Sequence, residues 1–155
     1  MTHLKTNKLG LAAVVATLGV AGCGGGDSNK TLSYGAFGKQ ANQICRDSQK
    51  KVDLISKDLN GEPANDAPIL KKLIPAIDGA NKTFEKLKPP AKLKDAVDAF
   101  DKINLQQLDL AKTAQTQAED GDKAAYQTTL QSLNKLGAQN DAAASKLGAA
   151  DCVSS

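Results

Sequence analysis

The sequence predicts an all-α protein: an antiparallel, up-down-up-down four-helix bundle. Three observations carry this. Apolar residues recur at steps of three and four from Phe37 nearly to the C-terminus, the spacing that lines one face of a helix. Helix-stopping or polar stretches, at Asn60-Gly61, Pro89-Pro90 and Glu119 to Asp122, cut that pattern into four segments. No run alternates with period two, so no strands are expected. Short turns between amphipathic segments force neighbours to run in opposite directions.

In the first segment Phe37, Ala41, Ile44, Ser48, Val52, Ile55 and Leu59 form the inward stripe, which ends at Asn60-Gly61, a C-terminal stop. Asp66 followed by Pro68 suits the start of the second helix, whose stripe is Leu70, Leu73, Ile77, Ala80, Phe84 and Leu87. Pro75 lacks an amide hydrogen and crowds the carbonyl of Lys71, with Gly79 one turn on. A kink there is expected in preference to a split into two helices. The third segment starts near Ala91 and turns Leu93, Val97, Phe100, Ile103, Gln107, Leu110 and Ala114 inward. Gly121 then stops it and Asp122 caps the fourth, which carries Tyr126, Leu130, Leu133, Gly137, Asn140, Ala144 and Leu147 before halting at Gly148. Asn104, Gln107 and Asn140 fall near the inward stripes as a polar layer, read as fixing helix register.

The N-terminal part has a different character. Residues 1–22 have a basic start with Lys5 and Lys8, an apolar centre from Leu9 to about Val20, and small residues before a cut. That centre is shorter than the roughly 20 apolar residues a bilayer span needs. Its ending, Val20-Ala21-Gly22-Cys23, resembles the lipobox of bacterial lipoproteins. The resemblance implies that residues 1–22 are a signal peptide removed before Cys23, that the Cys23 thiol carries a diacylglyceryl group, and that the protein is held on the extracytoplasmic face of the cell membrane. Two or three acyl chains hold a protein there where one does not. Residues 23–33, with Gly24-Gly25-Gly26 and no apolar period, read as the lipidated cysteine and a flexible tether. Residues 34–155 are the bundle domain, one core's worth of chain. The lipobox, the short tether, a cysteine in the first helix, a Leu-Lys-Pro-Pro turn and a terminal Asp-Cys are together similar to small actinobacterial helical lipoproteins; no activity follows from that resemblance.

Outside the cytoplasm disulfides persist. Lipidation of Cys23 leaves Cys45 and Cys152, and in an up-down bundle both fall toward the same end, provided that the tail after Gly148 folds back. The same end receives the turn in which Lys82, Lys86, Lys88, Lys92 and Lys94 crowd around Pro89-Pro90, with Glu85 opposing. Lysines near an anionic lipid surface contribute about 1 kcal/mol each, so this basic end is expected to face the membrane, the competing reading being ordinary solvated loops. Glu62, Asp66, Glu119, Asp120 and Asp122 collect at the other end.

Composition excludes several function classes. The formal charge of +3 includes Lys5 and Lys8, and residues 1–22 hold no acidic side chain, so the mature chain is close to neutral at +1. That does not suit a nucleic-acid binder. His3, the sole histidine, lies in the signal, which removes imidazole-based triads and His-containing metal sites. Asp58, Asn60 and Glu62 mimic the opening of a calcium loop, but Gly61 comes too early and Ile69 stands where a bidentate Glu is needed. Asp95, Asp98 and Asp101 alternate with lysines as a solvated face. No metal, cofactor or catalytic residue is expected. The leading expectation is a non-catalytic, membrane-anchored domain that binds a protein or cell-envelope partner. The alternative is a binder of a small apolar molecule, in a cavity left by Gly137, Ala142 to Ala144 and the Pro75 kink. A carboxylate-based enzyme acting on glycans ranks third.

Overall fold

A computed structural model describes residues 30–153 as four α-helices and two short 3-10 turns, with no strand among the described residues. The helices are α1 (Tyr34–Ser56), α2 (Pro63–Phe84), α3 (Lys94–Glu119) and α4 (Lys123–Lys146); the turns are Ala91–Leu93 and Ala150–Cys152. Cys23, the lipobox and the signal fall outside the described residues. Among the described residues no helix is long and apolar enough to cross a membrane.

The boundaries follow local chemistry. Ser33 caps α1, its hydroxyl accepting from Ala36 N at 3.3 Å, and Asp122 caps α4 by accepting from Ala125 N at 3.0 Å. Gly61, Gly121 and Gly148 have φ of 81°, 71° and 67°, the left-handed conformation that ends helices and turns the chain. Two expectations are corrected at the first turn. α1 ends at Ser56 rather than near Asn60, and α2 begins at Pro63, whose missing amide costs nothing in a first turn. Asp66 is therefore not the residue before the helix. It lies inside the first turn, its amide donating to Glu62 O at 2.9 Å. α2 then runs unbroken through Pro75 to Phe84, so two shorter helices do not form. Pro75 is exposed, so the carbonyl its ring leaves without a donor lies on the solvated side.

Each helix packs against the next in sequence, α1 on α2, α2 on α3 and α3 on α4, as short connections demand. The core divides in two. Toward the start of α1 and the end of α4, Phe37 meets Phe84 edge-on and Phe84 meets Phe100 at a tilt, with ring centroids 6.1 and 5.0 Å apart, in one cluster with Ala143, Ala144 and Leu147. At the far end Leu70, Leu73, Ala114, Ala118 and Tyr126 form the second cluster. Alanines at 111, 114, 118, 143 and 144 let α3 and α4 approach closely. α1 is less committed, burying fully only Phe37 and Ala41. The Ala150–Cys152 turn, which packs on both helices, makes the principal link between α1 and α4. Beyond that turn the bundle is open along this seam.

Candidate functional site

The open seam is a cleft. A cavity of about 360 Å³ is walled by Val52 of α1, Leu70, Leu73 and Ile77 of α2, and Leu130 and Leu133 of α4. It shares Gln49, Ile77, Gln107, Asn140 and Cys152 with a smaller cavity of about 180 Å³, which Asn81, Asn104 and Phe100 also line. Gly137 helps line the cleft. Ala142 and Ala143 do not, bordering instead a separate outer groove between α3 and α4, and Pro75 borders a depression between α1 and α2.

The floor is the polar layer, lying where one apolar cluster gives way to the other. Asn140 Nδ2 donates to Asn104 Oδ1 at 2.6 Å and to Gln107 Oε1 at 2.7 Å, so the three amides read from the stripes do meet. The layer is incompletely satisfied. Asn140 Oδ1 and Asn81 Nδ2 are buried with no hydrogen-bond partner. A buried polar atom without a partner costs on the order of 1–3 kcal/mol, so two beside one cavity need an explanation. Asn81 is the member of this layer that sequence reasoning missed, although its place four residues after Ile77 and three before Phe84 puts it on the inward stripe.

The C-terminal turn closes one end of the cleft. Cys45 and Cys152 form a disulfide, with Cα atoms 5.0 Å apart. Two neighbours on α1 grip the same turn: Arg46 pairs with Asp151 at 2.5 Å, and Asp151 N donates to Asn42 Oδ1 at 2.9 Å. The fold-back required of the tail is made at Gly148, where a Cβ would come within 3.0 Å of the Tyr34 hydroxyl.

The chain leading into α1 also reaches this end, Leu32 N donating to Lys88 O at 2.9 Å. The residues just before α1 thus lie beside the Pro89-Pro90 turn. The five lysines of that end divide into two groups. Lys82 pairs with Asp78 and Lys94 with Asp98, and each carboxylate, through a hydrogen bond and its charge, raises the pKa of its lysine. Lys86, Lys88 and Lys92 are exposed and form no ion pair among the described residues. Asp101 lies half-buried nearby. Burial first, then the charges of Glu85 and Asp98, raises its pKa to about 6.

The far end is less acidic on its surface than the sequence suggests, because Asp66 is inside. It is 1% exposed, and its carboxylate accepts from Asn60 N at 3.0 Å, Gly61 N at 2.8 Å and the Tyr126 hydroxyl at 2.7 Å. Burial and then the Asp66 hydrogen bond and charge raise the Tyr126 pKa, keeping the phenol a donor. Glu62 is engaged by Lys123 at 2.7 Å. This cluster ties the α1–α2 turn to α4 and touches no cavity of the cleft. No group of three or more His, Cys, Asp or Glu side chains that could hold a metal ion occurs among the described residues. The chain matches no protein-family model, no curated protein and no solved structure, so the bundle and its cleft are the ground on which a function has to be argued.

Proposed function

We propose that this is an extracytoplasmic protein, anchored in the cell membrane through lipid on Cys23, whose helical domain binds a small molecule in the cleft between α1 and α4 without chemical turnover. One observation carries the reading: an apolar cleft of about 360 Å³ adjoins, through Asn140, a smaller cavity lined by both Asn81 and Asn140, each of which has a buried amide atom that lacks a partner. Ligand sites are typically concave, mostly apolar, roughly 300–1,000 Å³ in volume, with a few convergent polar groups. A four-helix bundle closed on all sides would offer none of this. On sequence alone a protein or envelope partner ranks first; the cleft moves the small ligand ahead of it. The anchor rests on Val20-Ala21-Gly22-Cys23, and the absence of histidine from the mature chain supports the non-catalytic reading.

A second observation concerns orientation. The tether meets the domain beside Lys88, so Lys86, Lys88 and Lys92 are held within reach of an anionic bilayer, and the cleft, on the side of the bundle, remains accessible.

The test uses the full chain carrying Cys23→Ser, which accepts no lipid, refolded without detergent and with the Cys45–Cys152 disulfide formed. Small apolar and amphiphilic molecules are titrated against its isotope-labelled amides. Shifts gathered on Val52, Leu73, Leu130 and Leu133 are expected. Gly137→Leu is expected to abolish them, since a Cβ at Gly137 meets nothing within 4 Å and the added side chain grows into free space. No response, or one that Gly137→Leu leaves intact, refutes the reading.

A further inference from the structure

We infer that the cleft selects an uncharged amphiphile: a neutral head with both a hydrogen-bond acceptor and a donor, seated between Asn81 and Asn140, on an apolar tail lying between α1 and α4. The inference rests on the ligand-binding reading above and names the chemistry of its ligand.

The head follows from the unpaired atoms. Asn81 Nδ2 is a donor in need of an acceptor, and Asn140 Oδ1 is an acceptor in need of a donor. Asn140 cannot turn its amide to find another arrangement cheaply, because its Nδ2 is held by Asn104 and Gln107. A hydroxyl or a primary amide offers both functions, whereas a hydrocarbon offers neither.

Charge on the head is disfavoured in both signs. No Lys or Arg lines either cavity, so a buried carboxylate or phosphate would have no counter-ion, and the carboxylates present, Asp141 and Asp151, stand at the walls with the wrong sign for an anion. A cation fares no better on the floor. Asp151 is already paired with Arg46, and the Asn81 donor would point its hydrogens at a positive charge. At the layer the smaller cavity presents only the neutral amides of Asn81, Asn104, Gln107 and Asn140.

The tail follows from continuity. The smaller cavity and the cleft share Ile77, Gln107 and Asn140, so a molecule with its head on the amides extends directly between Val52 and Leu130. Each methylene buried there is worth about 0.8 kcal/mol, roughly fourfold in affinity, so chain length sets strength while the amides set identity.

Four twelve-carbon ligands separate the contributions: lauramide, laurate, dodecyltrimethylammonium and dodecane, the ions titrated below their micelle concentrations and the neutral molecules below their solubility limits into the refolded Cys23→Ser chain and followed at the side-chain amides of Asn81 and Asn140. Lauramide is expected to bind at least about tenfold tighter than each of the other three, the equivalent of a pair of neutral hydrogen bonds. Asn81→Leu is expected to weaken lauramide about tenfold and to leave dodecane within about twofold. The order of the four ligands on the unsubstituted floor needs no variant and stands even if Asn81→Leu perturbs folding. Laurate or the ammonium binding as tightly as lauramide, or lauramide no tighter than dodecane, overturns the neutral-head inference and leaves the ligand-binding reading intact. Failure of all four to bind, with water alone satisfying the amides, overturns both.

Discussion

Replacing Tyr126 with Phe removes one oxygen from a fully buried site and leaves the ring in place. The lost hydroxyl donates at 2.7 Å to Oδ2 of Asp66, a carboxylate 1% exposed. Hydrogen bonds to charged groups contribute about 1.5–3 kcal/mol, so Tyr126→Phe is expected to cost about 2 kcal/mol. Asp66→Ala costs more, because it strands three donors: the Tyr126 hydroxyl and the amides of Asn60 and Gly61. Those amides are only part-buried and regain some water, which puts the total near about 4 kcal/mol rather than the full sum of three desolvation penalties. The double variant is expected to cost about 4 kcal/mol as well, since a hydroxyl with no partner left is removed at little loss. The predicted coupling is therefore about 2 kcal/mol. Urea unfolding of the four chains, followed by helical circular dichroism at unchanged slope, reads it out. Single costs that add to the double within about 0.5 kcal/mol would show that the two residues act independently, and Asp66 could not then be what ties the α1–α2 turn to α4.

Reduction of the Cys45–Cys152 bond, which closes a loop of sequence separation 107, is expected to cost up to about 4.8 kcal/mol in the chain-entropy description and to lower the melting temperature markedly; an unchanged melting curve under reductant would contradict it. Folded Asp101 keeps its proton up to about pH 6, whereas the unfolded side chain loses it near about 4. The native state thus binds more protons between those values, and the contribution of Asp101 to stability, full below about pH 4, is lost as pH rises through 6. Asp101→Asn, which mimics the protonated form, should raise the melting temperature at pH 7 and have no effect below about pH 4; equal effects at both would refute this assignment. Two glycines should respond with opposite signs: Gly148→Ala costs about 1–2 kcal/mol through its left-handed φ of 67°, whereas Gly79→Ala, in mid-helix with open space at Cβ, stabilises by about 0.5–1 kcal/mol in the same urea assay. Replacing Lys86, Lys88 and Lys92 by Gln should weaken attachment of the unlipidated chain to anionic vesicles on the order of a hundredfold, at about 1 kcal/mol per lysine, and leave neutral vesicles unaffected; equal binding to both vesicle types sinks the orientation.

What local sequence settles is visible in the helices themselves. The stripe from Phe37, the stops at Gly121 and Gly148, and the cap at Asp122 depend on residues within one or two turns of one another, and each is realised. The pairing of Cys45 with Cys152 was also legible, because an up-down order places both at one end and the lipobox reading sets Cys23 aside. Asp66 shows where such reading stops. As a local signal, an Asp two residues before Pro68 looks like a cap; its actual role is set by Tyr126, a phenol 60 residues away that arrives only when α4 packs on α2. The lysines of the Pro89-Pro90 turn divide into paired and unpaired groups for a related reason, since side-chain rotamers and the carboxylates one turn away decide which charges are spent. The cleft was least legible of all. Periodicity says which face of a helix turns inward, but whether two inward faces meet depends on side-chain volume summed across four helices. Here α1 buries too little to close against α4, and the seam between them is left to a disulfide-held turn and a row of half-satisfied amides.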